Sequence, residues 1–258
     1  MLTIGIDVGS ITTKAAAVRD GALLCDLIIG TGYNAEQAGA QIFSDMLLQL
    51  KSQRHDVQAV VATGYGRKSV RFASRAVTEI TCHAAGAVFL NPRVRSVIDI
   101  GGQDSKVIVL DAAGRVKDFA MNDKCAAGTG RFLDVMARAL DVDLEAFGPF
   151  SARADRPAVI SSLCTVFAES EVISLIAKGE SRENIIAGIH DSIGARVIAM
   201  GARLDMTEPV MMTGGVARNS GVVRALEKKS GLSIEVSPKA QVTGAIGAAL
   251  IAAAGERK

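Results

Sequence analysis

One segment of the chain occurs twice. Ile6-Asp7-Val8-Gly9-Ser10-Ile11-Thr12-Thr13-Lys14 aligns with Ile98-Asp99-Ile100-Gly101-Gly102-Gln103-Asp104-Ser105-Lys106 at a constant offset of 92, without a gap. In each copy an apolar strand runs into Asp-x-Gly, a short turn follows, and a lysine leads into a second apolar run. A strand–turn–strand unit used twice points to a duplicated, two-lobed α/β molecule. The 258 residues are 49% hydrophobic and 22% charged, enough for sizeable cores and incompatible with global disorder. We expect one lobe over residues 1–95, closed by the C-terminal helix, and a second over 96–258.

The rest of the pattern alternates strands with helices. Strands are predicted at Leu2–Val8, Lys14–Val18, Ala22–Ile29 and Val57–Ala62, then at Val97–Ile100, Lys106–Leu110, Val116–Met121, Val210–Thr213 and Ser233–Val236. Asp20-Gly21 is a strong hairpin dipeptide. Helices are predicted at Ala35–Gln53, Thr78–Leu90, Gly130–Leu140, Val166–Lys178, Arg182–Leu204, Asn219–Lys229 and Gln241–Ala254.

The repeated turn suits a nucleotide phosphate. Glycines at 9, 101 and 102 let backbone N–H groups approach phosphate oxygens closely. Ser10, Thr12 and Thr13 add hydroxyl donors, although one of them must face away on a strand. Lys14 supplies a compact positive charge. Asp7 and Asp99, at strand ends, can each hold a hydrated Mg²⁺, and Gln103 or Asp104 is placed to orient an attacking water. A further glycine cluster, Gly214-Gly215-Val216, lies between a strand and a helix. Another, around Gly244, lies in the last helix, where small residues also serve close packing. Neither a P-loop nor a Gly-x-Gly-x-x-Gly motif is present.

Of the four cysteines, Cys25 and Cys82 sit inside an apolar strand and a helix. A reactive Cys82 with His83 is a weaker alternative. His55 and His190 read as surface residues. Cys125 and Cys164 differ from the other two cysteines, for each stands among small residues just before a helix. Helix N-termini favour thiolates and anions, so both positions suit ligation of an iron–sulfur cluster. A cubane usually takes four cysteines: two per chain call for a twofold dimer with the cluster on its axis, and the competing reading, all four cysteines of one chain, is disfavoured by the settings of Cys25 and Cys82. Nucleic-acid binding is disfavoured by a net charge of +2, the absence of a basic run and of Trp, and only 4% aromatics. The N-terminus lacks signal-peptide character, and Ala245–Ala254 is too short to span a membrane. A cytoplasmic protein is expected.

Asp7/Gly9, Asp99/Gly101 and Gly214/Gly215 resemble the two phosphate motifs and the adenosine motif of the actin, sugar kinase and Hsp70 ATPase superfamily. That resemblance implies two ribonuclease-H-like lobes with ATP in the cleft, Asp7 and Asp99 near Mg²⁺, and Gly214 and Gly215 beside adenine and ribose. The segments Met121–Met136 and Ser161–Ser174, together with Ala62–Arg67, narrow the match. The whole chain resembles the ATP-dependent activators of 2-hydroxyacyl-CoA dehydratases, ATPases of the BadF/BadG/BcrA/BcrD type. The resemblance implies an oxygen-sensitive homodimer with one 4Fe–4S cluster bridged by Cys125 and Cys164 of both subunits. It implies ferredoxin or flavodoxin as electron source, and ATP hydrolysis to ADP driving one electron to a dehydratase or a double-cubane protein. Two rivals remain: a sugar or amino-sugar kinase of the same superfamily, which leaves both cysteines idle, and a regulatory ATPase with a bridging zinc.

Overall fold

The computed structural model describes residues 1–161 and 164–255. Ser162 and Leu163, part of the second cysteine segment, lie outside the described residues. In chain order the elements begin with β1 (Leu2–Val8), β2 (Thr12–Arg19), β3 (Ala22–Gly30), α1 (Ala35–Leu50), β4 (Val57–Thr63), β5 (Arg75–Ala76) and α2 (Glu79–Leu90). They continue with β6 (Ser96–Ile100), β7 (Ser105–Leu110), β8 (Val116–Asn122), α3 (Gly130–Leu140), α4 (Phe147–Ser151), α5 (Thr165–Ala177) and α6 (Arg182–Met200). The last are β9 (Val210–Thr213), α7 (Ser220–Ser230), β10 (Ile234–Val236) and α8 (Thr243–Gly255).

Two five-stranded sheets result, ordered β3-β2-β1-β4-β5 and β10-β9-β6-β7-β8. Read from opposite ends, the orders match, with the two copies of the repeat at β1-β2 and β6-β7. In the first sheet β1 pairs antiparallel with β2, placing Asp7 opposite Lys14, and parallel with β4. The chain divides into two compact units. One comprises Met1–Val97, Leu110–Lys117 and the chain from Ser237 onward; the other comprises Ile98–Val109 and Asp118–Val236.

Strand β1 is buried along its whole length, as a central strand covered on both faces must be. Ile4, Ile6, Val8, Ile42 and Met46 form a core beneath α1, and α8 with α2 covers the opposite face. Small residues make that cover thin: Gly5 meets the backbone of α8, and Gly86 and Gly247 let α2 and α8 touch. Among the described residues no helix is long and apolar enough to cross a membrane.

Most element ends fall within a residue or two of expectation. Helix α1 stops at Leu50 because Lys51 turns left-handed, φ 51°, with its N–H on the Leu47 and Leu48 carbonyls. Helix α6 stops at Met200, capped by Gly201, rather than reaching Leu204. The short helix α4 was not anticipated. His190 is a second difference: it lies in α6, 2% exposed, where a surface residue was expected. His55 is exposed.

Candidate functional site

The repeat is a repeat of geometry. Gly9 N–H donates to the Thr12 carbonyl at 3.1 Å, and Gly101 N–H donates to the Asp104 carbonyl at 2.9 Å, the same closure at the same offset. Beside the first turn the Lys14 ammonium stands 3.5 Å from Asp7, and both side chains are largely buried. In the second copy Lys106 is 1% exposed and pairs with Asp99 at 3.1 Å and Asp104 at 2.7 Å. Lys106, the counterpart of Lys14, was not among the site residues expected from sequence, although the alignment points to it.

A second correspondence links the units. Thr63-Gly64 ends β4 as Thr213-Gly214 ends β9, each at a strand neighbouring its repeat copy. Gly64 and Gly214 have φ of +89° and +86°. A Cβ on Gly64 would collide with the Asp7 carboxylate and the Val8 carbonyl; one on Gly214 would collide with the Ile100 carbonyl and stand 2.8 Å from Asp99 Oδ1. Each glycine thus brings backbone against the strand-end aspartate, which only glycine tolerates in this conformation. Thr213 Oγ1 donates to Asp99 Oδ1 at 3.0 Å. Gly214→Ala is expected to lower stability by about 1–3 kcal/mol, the usual scale for such backbone strain; thermal melting measures it.

The remaining candidates divide. Ser10 and Thr12 are half-buried at the first turn. Thr13 is fully buried and its hydroxyl pairs with Thr31, which donates to the Gly9 carbonyl at 2.8 Å; it braces the turn from behind. Gln103 is exposed at the turn, whereas the Asp104 carboxylate is engaged by Lys106. Val216 is buried in the segment after Gly214, while Gly215 is exposed. Gly244 opens α8 in the first unit; a Cβ there would lie 2.8 Å from His83 Nε2 and 3.3 Å from Asp7 Oδ2. Residue 244 is therefore part of the packing around Asp7, together with His83.

The cysteines separate by environment. Burial pushes the Cys82 thiol up to about 12, so it is not a nucleophile at neutral pH. Burial also raises Cys25, which packs on Met46. Cys164 is exposed and is the N-cap residue of α5, whose Ala168 N–H donates to its carbonyl. Glu171 accepts from Ser161 N–H and Oγ, tying Ser161 to α5. Cys125 is half-buried and stands before a turn, Ala126–Thr129, that precedes α3. Its backbone is bracketed by Asn122: Nδ2 donates to the Cys125 carbonyl at 2.7 Å, and Cys125 N–H donates to Oδ1 at 3.2 Å. Helix α3 packs on α5.

The start of α3 corrects one expectation. Its Gly130 and Arg131 N–H groups do not serve sulfur; they donate to the Gly101 and Gly102 carbonyls at 2.9 and 2.8 Å. The second turn of the repeat is therefore hydrogen-bonded to the helix that follows Cys125.

A model of the BadF/BadG/BcrA/BcrD ATPase family matches residues 4–252. The chain belongs to this family. It is 47% identical to the activator of lactoyl-CoA dehydratase from Anaerotignum propionicum, over 98% of this chain and 97% of that protein. Component A of (R)-2-hydroxyglutaryl-CoA dehydratase from Acidaminococcus fermentans superposes with a TM-score of 0.96 at 46% identity, covering all of both chains. The activator of 2-hydroxyisocaproyl-CoA dehydratase from Clostridium difficile, solved with bound ADPNP, gives 0.91 at 44% identity, over 98% of this chain and 94% of that one. A ROK family glucokinase from Streptomyces griseus, at 16% identity and a TM-score of 0.62 over 99% of this chain and all of the other, shares the fold alone. This BadF/BadG/BcrA/BcrD-type ATPase therefore has the actin, sugar kinase and Hsp70 fold.

Proposed function

We propose that this ATPase activates a 2-hydroxyacyl-CoA dehydratase, or a related double-cubane protein, by ATP-driven transfer of single electrons at low potential. The observation that carries the reading is the pair of hydrogen bonds from α3 to Gly101 and Gly102. A shift of that turn between ATP and ADP pulls directly on the helix behind Cys125. Phosphate contacts that differ between the two nucleotides supply the differential binding that any such shift requires.

Gly9, Ser10, Thr12 and Lys14, and likewise Gly101, Gly102 and Gln103, are assigned to phosphate. Gly214, Gly215 and Val216 are assigned to the nucleoside. Asp7 and Asp99 each offer one lysine-paired carboxylate. Each could meet a hydrated Mg²⁺, which keeps most of its waters and is held by protein through one or two carboxylates. Gln103, exposed beside the Lys106-bound Asp104, orients the attacking water.

Cys125 and Cys164, free thiols of one unit that stand before the packed helices α3 and α5, are assigned as half of a four-thiolate site. The other half comes from a second copy. Helix α5 leaves Val166, Phe167 and Ile173 more than half exposed beside Cys164, an apolar face that a twofold partner would cover. When bound, a 4Fe–4S cluster supplies a one-electron carrier, loaded by ferredoxin or flavodoxin. A reducing cytoplasmic setting suits both the free thiols and such a cluster. The kinase alternative leaves Cys125 and Cys164 idle.

Purification without oxygen, with iron and sulfide analysis and sedimentation, tests the reading. A brown dimer with about four irons, as one Cys-ligated cubane requires, is expected, bleaching in air. Cys164→Ser is expected to retain no iron above a metal-free control. A colourless protein that cannot be reconstituted, or one that holds zinc, overturns the redox assignment.

A further inference from the structure

Two N–H groups at the start of α3, those of Gly130 and Arg131, are taken by Gly101 and Gly102, and a cation reaches Cys125 from another helix. Arg196, in the last third of α6, donates from Nη1 to Cys125 Sγ at 3.7 Å. The contact is built in. Asn122 fixes the cysteine backbone from one side. On the other, Gly128 has φ +89°, and a Cβ there would stand 3.1 Å from Arg196 Cδ. The aliphatic stem of the arginine therefore lies across the Ala126–Thr129 turn, which Thr129 closes by donating its N–H to the Ala126 carbonyl at 3.0 Å. Arg196, 71 positions away in sequence, thus reaches the sulfur of a cysteine whose backbone Asn122 holds, along a turn that Gly128 keeps open for its stem.

We propose that Arg196 is a positioning residue that orients Cys125 and sets the potential of the cluster this cysteine would ligate. The inference rests on the cluster reading above. A guanidinium remains charged at every pH of interest and donates through a rigid planar fork. Hydrogen bonds and positive charge at a ligand sulfur favour the reduced cluster, which is one unit more negative, and so raise its potential. The electron enters from a one-electron reductant, and no proton or ligand leaves. Because α6 also packs on α7, the helix after Gly214 and Gly215, Arg196 sits on an element in contact with the nucleoside side of the same unit. Its hold on sulfur is therefore open to modulation by nucleotide.

The test is the midpoint potential of the anaerobically reconstituted, full-length protein, titrated with dithionite and followed by EPR. Arg196→Met is expected to make reduction about tenfold less favourable, a shift of ~59 mV to lower potential for one electron. Arg196→Lys should recover part of that shift, and the EPR line shape should change in both. Arg196→Gln, neutral but still able to donate, carries the same test should the methionine variant not fold. Full cluster content with the parent potential and line shape in the neutral variants overturns the role of Arg196 alone. A parent protein that takes up no iron and sulfide overturns the cluster reading and this proposal together.

Discussion

Replacing Lys106 by methionine is expected to destabilise the protein by about 3–5 kcal/mol, the usual result of removing one partner from a buried ion pair. The ammonium is 1% exposed and lies 3.1 Å from Asp99 and 2.7 Å from Asp104. Without it Asp99, almost fully buried and accepting from the Thr213 hydroxyl, would lose its lysine counter-charge in a place it cannot hydrate. Since whole domains are stable by only about 5–15 kcal/mol, this is a large fraction of the total. The loss should appear as a lower urea midpoint with an unchanged slope. Lys14→Met is the informative comparison. Its pair with Asp7 is longer, 3.5 Å, and slightly wetter, so its loss should be smaller. Equal losses would show that the second turn is not held by its lysine as the geometry indicates. Asp99→Asn in the Lys106→Met background should recover stability, because it removes the stranded charge.

The repeat was legible because a turn this short leaves the backbone little choice. Asp-x-Gly at a strand end followed by a lysine specifies the closure from residue 9 to 12, and again from 101 to 104. Helix α3 was legible to the residue, since glycine before it and a strongly amphipathic run mark both ends. What the sequence hid were contacts between residues far apart. Arg196 stands 71 positions from Cys125, on a helix whose polar residues give no hint of facing a thiol. His83 and Gly244 meet beside Asp7 only because α8 returns to the first unit. Helix α4 was missed because Phe147-Gly148-Pro149 reads as a breaker, although proline is tolerated in a first turn. That omission also explains His190. Without α4 there was nothing to cover that face of α6.

His190 gives the second large effect, an acid sensitivity that belongs to one residue. The imidazole is enclosed by α4, α6 and α7, with the Phe147 ring at 6.0 Å and Gly221 so close that a Cβ there would overlap it. Neither ring nitrogen has a hydrogen-bond partner among the described residues. Burial, aided by the nearby Arg224 cation, pushes its pKa down to about 3. The folded protein therefore keeps His190 neutral at a pH where the unfolded chain, with an ordinary value near 6.5, takes up a proton. Protons bound by the unfolded state pull the equilibrium towards unfolding. The contribution is absent above 6.5 and grows as pH falls towards 3, at up to ~1.4 kcal/mol per pH unit. His190→Leu removes the group and its unsatisfied nitrogens while retaining most of the volume. Urea denaturation of both proteins at pH 7.5, 6.0 and 5.0 isolates the effect from the carboxylates, which both share. The difference in stability should move in favour of the leucine variant by roughly 1–2 kcal/mol between pH 7.5 and 5.0, the integral of that slope over the window. A difference that stays constant across the series would mean that His190 accepts a proton in the folded state, through local opening of α4. Hydrogen exchange at the Phe147–Ser151 amides would then rise below pH 6, identifying that helix as the element that yields.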